Sequence, residues 1–290
     1  MRLNTVLISV WLGAIDLCCA QMRTYQDILP EDNLEYNKME PPKINNQPTS
    51  VDIHVTVLGL DSFDESSMSY YADIYVAQTW NDYRLYWPKN MTLEYRFLPV
   101  DWLNHIWRPD CFFKNAQEVN LQTVTVPNHY VWLYKNKTIL YMVKVTLQLS
   151  CPMNFQNFPH DTQECKLMME SLSHTTEDLI FKWNPVVPLR VDKNIKLPQL
   201  KLIHSTPGDC TKSYFTGNFT CLKITFELER RLGYHLFNTY IPACLIVIMS
   251  DAVEAEKART RAINIDRFSR VFFPLLFATL NAAYWIKYLK

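Results

Sequence analysis

The sequence predicts a mainly β protein, in which an extracellular antiparallel β-sandwich over about residues 51–231 is followed by transmembrane α-helices. Three features support this prediction. Apolar and polar side chains alternate in several separate segments, two close pairs of cysteines lie in the same region, and charged residues disappear abruptly at about residue 232. Alternation is typical of strands with one buried and one solvated face, and the uncharged segment is typical of a membrane span.

The composition indicates an ordered chain and excludes several classes of function. Of the 290 residues, 48% are hydrophobic and 13% aromatic, which is enough for the core of one sizeable domain and a further segment. The 29 basic residues balance the 29 acidic ones, so no net field attracts nucleic acid. The sequence has five glycines and no standard nucleotide, serine or zinc motif, and it predicts no enzyme, cofactor, metal or nucleic-acid partner.

The N-terminus has the organisation of a signal peptide over residues 1–20. Arg2 precedes an apolar segment from Leu3 to about Ile15, and small residues follow before Gln21. A short buried core segment is the alternative, but this segment lies at the very start of the chain and is too short to span a bilayer. We therefore expect secretion into an oxidising compartment.

Two cysteine pairs are candidates for disulfides in such a compartment. Cys151 is close in sequence to Cys165, and Cys210 is close to Cys221, although spacing alone does not fix the connectivity.

Three sequons for N-glycosylation suit exposure to the secretory lumen. They are at Asn90, Asn136 and Asn218.

Three segments show the strand alternation most clearly. Their apolar positions are Val51, Ile53, Val55 and Val57 in the first, Tyr141, Val143, Val145, Leu147 and Leu149 in the second, and Leu222, Ile224, Phe226 and Leu228 in the third. Polar residues occupy most of the positions between them, so we expect one face of each strand in the core.

The C-terminal region predicts two membrane spans joined by a basic segment. Residues 232–250 carry no formal charge, residues 251–270 are rich in arginine, and residues 271–290 are again mostly apolar. The basic segment suits the cytoplasmic side, with the N-terminal domain outside the cell. Two buried core helices are the alternative, because both apolar segments are close to the minimum length of a span.

The segment CPMNFQNFPHDTQEC, from Cys151 to Cys165, resembles the signature loop of the Cys-loop (pentameric) ligand-gated ion channels, with a generic secreted disulfide as the alternative. Further resemblance lies in WNDYRL, IWRPDCFF, ESLSHTTEDLIFKW, GYHLFNTYIPACLIVIMS and SRVFFPLLFATLNAAYWI. It implies an extracellular, immunoglobulin-like domain over residues 21–231 that binds a small-molecule neurotransmitter. It also implies assembly with other channel subunits, as a homo- or hetero-pentamer in the lipid bilayer of the plasma membrane, including postsynaptic membrane.

The second cysteine pair resembles the extra bridge of the anion-selective branch, and two motifs are most similar to histamine-gated chloride channels: RRLGYHLF and ESLSHTTEDLIFKW. Relatives gated by glycine or glutamate have an arginine for the ligand carboxylate two residues after the position of Tyr75, whereas this chain has Ala77 there. Histamine lacks a carboxylate and is therefore the favoured ligand. Glutamate stays an alternative, because Lys144 is a substitute cation.

The resemblance implies seven ligand-binding residues. They comprise four aromatic residues that form a box for a cation, one carboxylate that pairs with the ligand amine and two hydroxyls: Tyr75, Phe112, Tyr214, Phe219, Glu170, Ser173 and Thr216.

Each of these residues also has a structural interpretation. A single aromatic residue is as readily part of a core or a rim, and Glu170 has a structural salt bridge as its alternative. Leu172 stands where many relatives have an aromatic residue, which leaves that wall of the box open. His174 has no second ligand at a suitable spacing, so we assign no metal.

The membrane region departs from the family. Such subunits have four transmembrane helices, and the second lines the pore, whereas here the first-helix motif ends at Ser250 and Asp251 begins a segment that resembles the approach to the fourth. Without the second and third helices, the chain alone is not expected to build a selective pore. We expect a chloride-channel subunit or a non-conducting short form that binds ligand or joins full-length partners. A soluble binding protein or an enzyme is a third alternative, which the apolar segments and missing catalytic motifs oppose.

Overall fold

The computed structural model describes residues 28–29, 36–88, 92–250 and 258–288. The chain divides into two compact units, Met1–Arg230 and Arg231–Lys290. The predicted signal peptide and the sequon at Asn90 lie outside the described residues.

The first unit is built from β-strands. Within the described residues they are β1 (Thr49–Asp64), β2 (Ser69–Asn81), β3 (Tyr95–Leu98), β4 (Cys111–Phe113), β5 (Ala116–Leu121), β6 (His129–Tyr134), β7 (Thr138–Ser150), β8 (Thr162–Ser171), β9 (Leu179–Trp183), β10 (Leu189–Val191), β11 (Leu200–Asp209), β12 (Lys212–Tyr214), β13 (Gly217–Phe219) and β14 (Cys221–Arg230). A short 3₁₀ helix, Val100–Asn104, precedes β4.

The strands form a large sheet, a small sheet and a hairpin. The large sheet has the order β10-β1-β2-β7-β6-β3, with β5 paired to β7 and β9 paired to β1. The small sheet has the order β11-β14-β8-β4, and β12 pairs with β13. The prediction of a purely antiparallel sandwich is wrong at one edge, where β9 and β10 run parallel to β1. Parallel pairing requires a long connection, and the intervening strands β2 to β8 provide it.

The core lies between the two sheets, as the alternation predicts. Val51, Ile53 and Val55 on β1 are fully buried, and so are Ile224 and Phe226 on β14. These apolar faces exclude water together, and the mainly β sandwich is therefore confirmed.

Tyr70 of β2 connects the sheets directly. Its ring meets that of Phe226 edge-on at 6.5 Å, and its hydroxyl donates to the backbone carbonyl of Lys166 on β8 at 3.0 Å. A buried tyrosine needs a partner for its hydroxyl, and this bond provides one inside the sandwich.

A buried ion cluster ties the end of β14 to the loop between β7 and β8. A disulfide joins Cys151 to Cys165 across this loop, and the Phe158–Pro159 peptide bond inside it is cis. Arg230, whose side chain is 2% exposed, donates to Asp161 at 2.7 Å and also pairs with Glu65. The guanidinium lies 4.7 Å from the centre of the Phe158 ring. Removing Arg230 would leave the buried Asp161 carboxylate without its cation.

The second unit is helical. It contains Leu232–His235, a π-helical turn Leu236–Tyr240, Ile241–Ser250 and a long helix Ala258–Tyr288. Several large apolar side chains on it are exposed, including Ile246, Phe273 and Phe277. Among the described residues, none of the helices combines the length and the apolar character that crossing a bilayer requires. The two membrane spans stay predictions.

The two described sequons are on the surface. Asn136 lies in the exposed turn between β6 and β7, and Asn218 is exposed on β13. Glycosylation of these positions stays a prediction.

Acid should destabilise the first unit through Asp161. Burial acts to raise the pKa of this carboxyl, but hydrogen bonds from Arg230 and Gln163 outweigh it and hold the pKa below its usual value. The stabilisation is therefore complete above about pH 4, the pKa of an unfolded aspartate, and is lost as the pH falls through the lower folded value. Urea unfolding of the full chain, followed by tryptophan fluorescence between pH 7 and pH 2, measures this. Asp161→Asn should show a shallower pH dependence, and identical dependence in both proteins would contradict the assignment.

Candidate ligand-binding site

Glu170 is a buried carboxylate on β8, the strand of the small sheet next to the edge strand β4. It is 4% exposed and stands directly opposite Phe112 of β4 on one side and Cys221 of β14 on the other. Residues that face each other across paired strands point to the same side of a sheet. One edge of the small sheet therefore places an aromatic ring, a carboxylate and a disulfide side by side.

Lys114 supplies the counter-charge for Glu170. It follows β4 two residues after Phe112, and its N–H continues the ladder by donating to the carbonyl of Met168 at 2.9 Å. Side chains two apart on an extended chain share a face, so the ammonium reaches the carboxylate and donates to Glu170 Oε2 at 2.6 Å. The salt bridge joins β4 to β8 beyond their backbone hydrogen bonds.

The hairpin β12–β13 brings Tyr214 to the same carboxylate. A disulfide between Cys210 and Cys221 anchors the hairpin to β14 beside Glu170. The Tyr214 hydroxyl donates to Glu170 Oε1 at 2.9 Å and accepts from the Lys114 ammonium. The Phe219 ring meets the Tyr214 ring at 5.7 Å and 70°. Two of the predicted box residues are thus in contact with each other, and one of them is bonded to the predicted carboxylate.

Gly217 allows the turn of this hairpin. Its φ of +136° lies in a region that L side chains rarely adopt, and an added Cβ would stand 3.0 Å from the Thr175 side chain. Any other residue would strain the turn or push it away from the loop that follows β8.

The site holds an ammonium group by three kinds of contact. The Lys114 nitrogen touches a carboxylate and a phenol, and it lies 5.1 Å from the centre of the Tyr214 ring. Partial burial acts to lower the pKa of Lys114, but its bonds to Glu170 and Tyr214 outweigh this and raise the pKa above its ordinary value. The lysine therefore stays charged near neutral pH. A second cation, Lys212, lies 5.7 Å from the same ring on its hairpin strand.

Asp110 organises the loop that follows Glu170. Its carboxylate accepts hydrogen bonds from the Ser171 hydroxyl at 2.9 Å, from the Leu172 N–H at 3.1 Å and from the Ser173 hydroxyl at 2.6 Å. The predicted ligand hydroxyl of Ser173 is therefore engaged within the protein. Leu172 is 69% exposed.

The other two predicted residues lie on the large sheet and at the tip of the hairpin. Tyr75 is on β2 of the large sheet, half-buried and directly opposite Lys144 of β7. Ala77 on the same strand is buried. Thr216 lies in the exposed turn at the tip of the β12–β13 hairpin.

The structure thus unites four of the seven predicted residues, Phe112, Glu170, Tyr214 and Phe219, and adds Lys114, which the prediction missed. The sequence did contain a signal for Lys114: it lies two residues after Phe112, and residues two apart on a strand share a face.

A known family of proteins matches most of the chain. Residues 21–232 match the family model described as neurotransmitter-gated ion-channel ligand binding domain. The match includes both disulfides and every residue of the cluster around Glu170.

Removing the Tyr214 hydroxyl should loosen the β12–β13 hairpin. Tyr214→Phe keeps the ring but loses the hydrogen bonds to Glu170 and Lys114, and we expect local opening of residues 212–219 to become easier by about 1 kcal/mol, or about fivefold in exchange rate. Hydrogen exchange with mass spectrometry measures this. Phe215→Ala at the exposed tip is the matched control and should change nothing. Equal exchange in Tyr214→Phe and wild type would show that the bonds do not hold the hairpin.

Proposed function

Because the chain belongs to the neurotransmitter-gated ion-channel family, we propose that it is a receptor subunit for a small amine, with histamine as the favoured ligand. Ligand-gated ion channels are not enzymes, and their ligand-binding domain is extracellular, takes a small molecule and works within an oligomer. The amine nature of the ligand, its identity as histamine and the selectivity for chloride are the proposed parts.

The observation that carries the amine proposal is the ammonium already held at Glu170. A buried carboxylate, a phenol and an aromatic face together form the surroundings that a primary ammonium ligand needs. Here they hold the Lys114 nitrogen at 2.6 Å from Glu170 Oε2 and 5.1 Å from the Tyr214 ring centre. A ligand ammonium fits the same groups.

The preference for histamine over glutamate is supported by Ala77. An amino acid needs a cation for its carboxylate, and this buried alanine offers none on β2. Glutamate stays the alternative agonist. Lys144 lies opposite Tyr75 on the neighbouring strand, and its ammonium would be a cation for the ligand carboxylate.

A subunit interface on the large sheet is supported by its exposed aromatic rings. Tyr95 of β3 stacks on Trp132 of β6 at 4.8 Å, and Phe97 on the same edge is 60% exposed. Aromatic residues are enriched where protein surfaces meet. We propose that a neighbouring subunit covers this edge in a pentamer and that Tyr75 completes the site of that neighbour.

Attachment to the plasma membrane is supported by the second unit. Residues 232–250 carry no formal charge, and apolar side chains such as Ile246 and Phe277 are exposed on its helices. We propose that residues 232–250 and 271–290 insert into the bilayer, which would cover these side chains.

A non-conducting subunit is the second candidate. The sequence passes from Ser250 to Asp251 without a segment that resembles the pore-lining helix. Such a chain would bind ligand, or join full-length partners and reduce their current.

Glu170→Gln should weaken histamine binding by about 30-fold or more, because a buried charge pair that loses one partner costs about 2–5 kcal/mol. Tritiated histamine binding to membranes that contain the full chain measures this. Glu164→Gln is the matched control, since this glutamate lies on the same strand but is exposed. Equal affinity of Glu170→Gln and wild type would contradict the amine site.

Tyr214→Ala and Phe219→Ala should each weaken histamine binding by about 1–3 kcal/mol, because each removes a ring from the box. The same binding assay measures this, with Phe215→Ala as the control at the exposed tip of the hairpin. Unchanged affinity in both variants would move the site elsewhere.

Whole-cell recording tests whether the chain conducts by itself or only alters the current of a full-length partner. We expect no histamine-evoked chloride current from this chain alone, and a changed current when a full-length partner is present, because the pore-lining segment has no counterpart here. Robust current from the chain alone would contradict this expectation.

A further inference from the structure

Lys114 occupies the position that the proposed function gives to the ligand amine. Its ammonium donates to Glu170 Oε2 and to the Tyr214 hydroxyl, and it lies within cation–π distance of the Tyr214 ring. These are the carboxylate and one of the aromatic walls that a ligand amine would use. A cation of the protein itself therefore occupies the position of the ligand amine.

We propose that Lys114 is a tethered competitor, which holds the amine position until a ligand ammonium displaces it and so sets the affinity of the receptor for amines. The proposal rests on the proposed amine function. Lys114 would then determine the affinity of the site, and it is absent from the set of site residues that the sequence predicts.

The two partners of this salt bridge differ in their freedom to leave it. The Glu170 side chain is 6% exposed, whereas the Lys114 side chain is 29% exposed. A lysine with a flexible four-carbon stem at the mouth of a site is able to rotate its ammonium into water, but a carboxylate inside a sheet is not. Displacement of Lys114 therefore leaves the strands and Glu170 in place.

Two ammonium groups on Glu170 would repel each other. One oxygen accepts from Tyr214 and the other accepts from Lys114, so a ligand ammonium at hydrogen-bond distance would lie beside a like charge in a partly buried place. Exchange of one cation for the other avoids this repulsion and keeps the carboxylate paired throughout.

The competition lowers the apparent affinity for any amine. A ligand binds only the fraction of sites from which Lys114 has departed, and its apparent Kd rises in inverse proportion to that fraction. Removing the lysine charge should therefore strengthen amine binding. A purely structural salt bridge predicts the opposite, since its loss would loosen β4, β8 and the hairpin.

Tritiated histamine binding to membranes containing the full chain tests the proposal with three variants. Lys114→Met keeps the length of the side chain and removes its charge, and we expect histamine Kd to fall about tenfold. Lys114→Arg keeps the charge in a fork that binds carboxylates more firmly, and we expect Kd to rise severalfold. Lys182→Met is the matched control: Lys182 is exposed on β9 of the large sheet, and its loss should change Kd less than twofold.

The outcomes separate this proposal from the function on which it rests. Wild-type binding that is lost in Glu170→Gln but not strengthened in Lys114→Met would overturn the competitor and leave the amine site intact. If Lys114→Met does not reach the membrane, an unchanged or lower Kd in Lys114→Arg overturns the competitor instead. Absence of histamine binding from wild type, Lys114→Met and Lys182→Met would overturn the amine function and the competitor together.

Discussion

The site is organised by one buried negative charge. Glu170 lies in the interior of the small sheet, and an isolated carboxylate in such a place would cost several kcal/mol unless a cation and hydrogen-bond donors satisfied it. The chain meets this need from two directions, with Lys114 next to β4 and Tyr214 from the hairpin. The contacts of both residues follow from the need to keep this charge paired.

Covalent and backbone constraints place these donors. The Cys210–Cys221 disulfide anchors the hairpin beside Glu170, and the β4–β8 register puts Phe112 opposite it. The sandwich is a rigid support, since Tyr70 ties its sheets together through a ring contact and a hydrogen bond. Loops carry binding residues well only when a scaffold fixes their ends, and both ends of this hairpin adjoin paired strands.

Much of the fold could be predicted from local patterns. The alternation in β1, β7 and β14 identified their buried faces, because side chains on a strand alternate strictly between two sides. The parallel pairing of β9 and β10 with β1 could not be predicted, since it depends on where the chain returns after several intervening strands. Local periodicity contains no information about such pairings.

Only part of the candidate site could be predicted, because the rest also depends on long-range pairing. Resemblance to a family predicted Phe112, Glu170, Tyr214 and Phe219. It carried no expectation for Lys114, whose contact with Glu170 appears only when the register of β4 against β8 is known. The engagement of Ser173 by Asp110 likewise depends on a contact between residues far apart in the sequence. A site between strands depends on which residues lie opposite each other in the sheet, and a sequence motif does not contain that information.

We propose that Glu170 binds an ammonium group, first that of Lys114 and then that of a ligand. A cryo-electron microscopy structure of the full chain with saturating histamine tests this most directly. We predict the ligand amine at about 2.7–3.2 Å from the Glu170 carboxylate, under the Tyr214 ring, with the Lys114 ammonium moved away. Histamine bound elsewhere, with the Lys114–Glu170 salt bridge intact, would contradict the account.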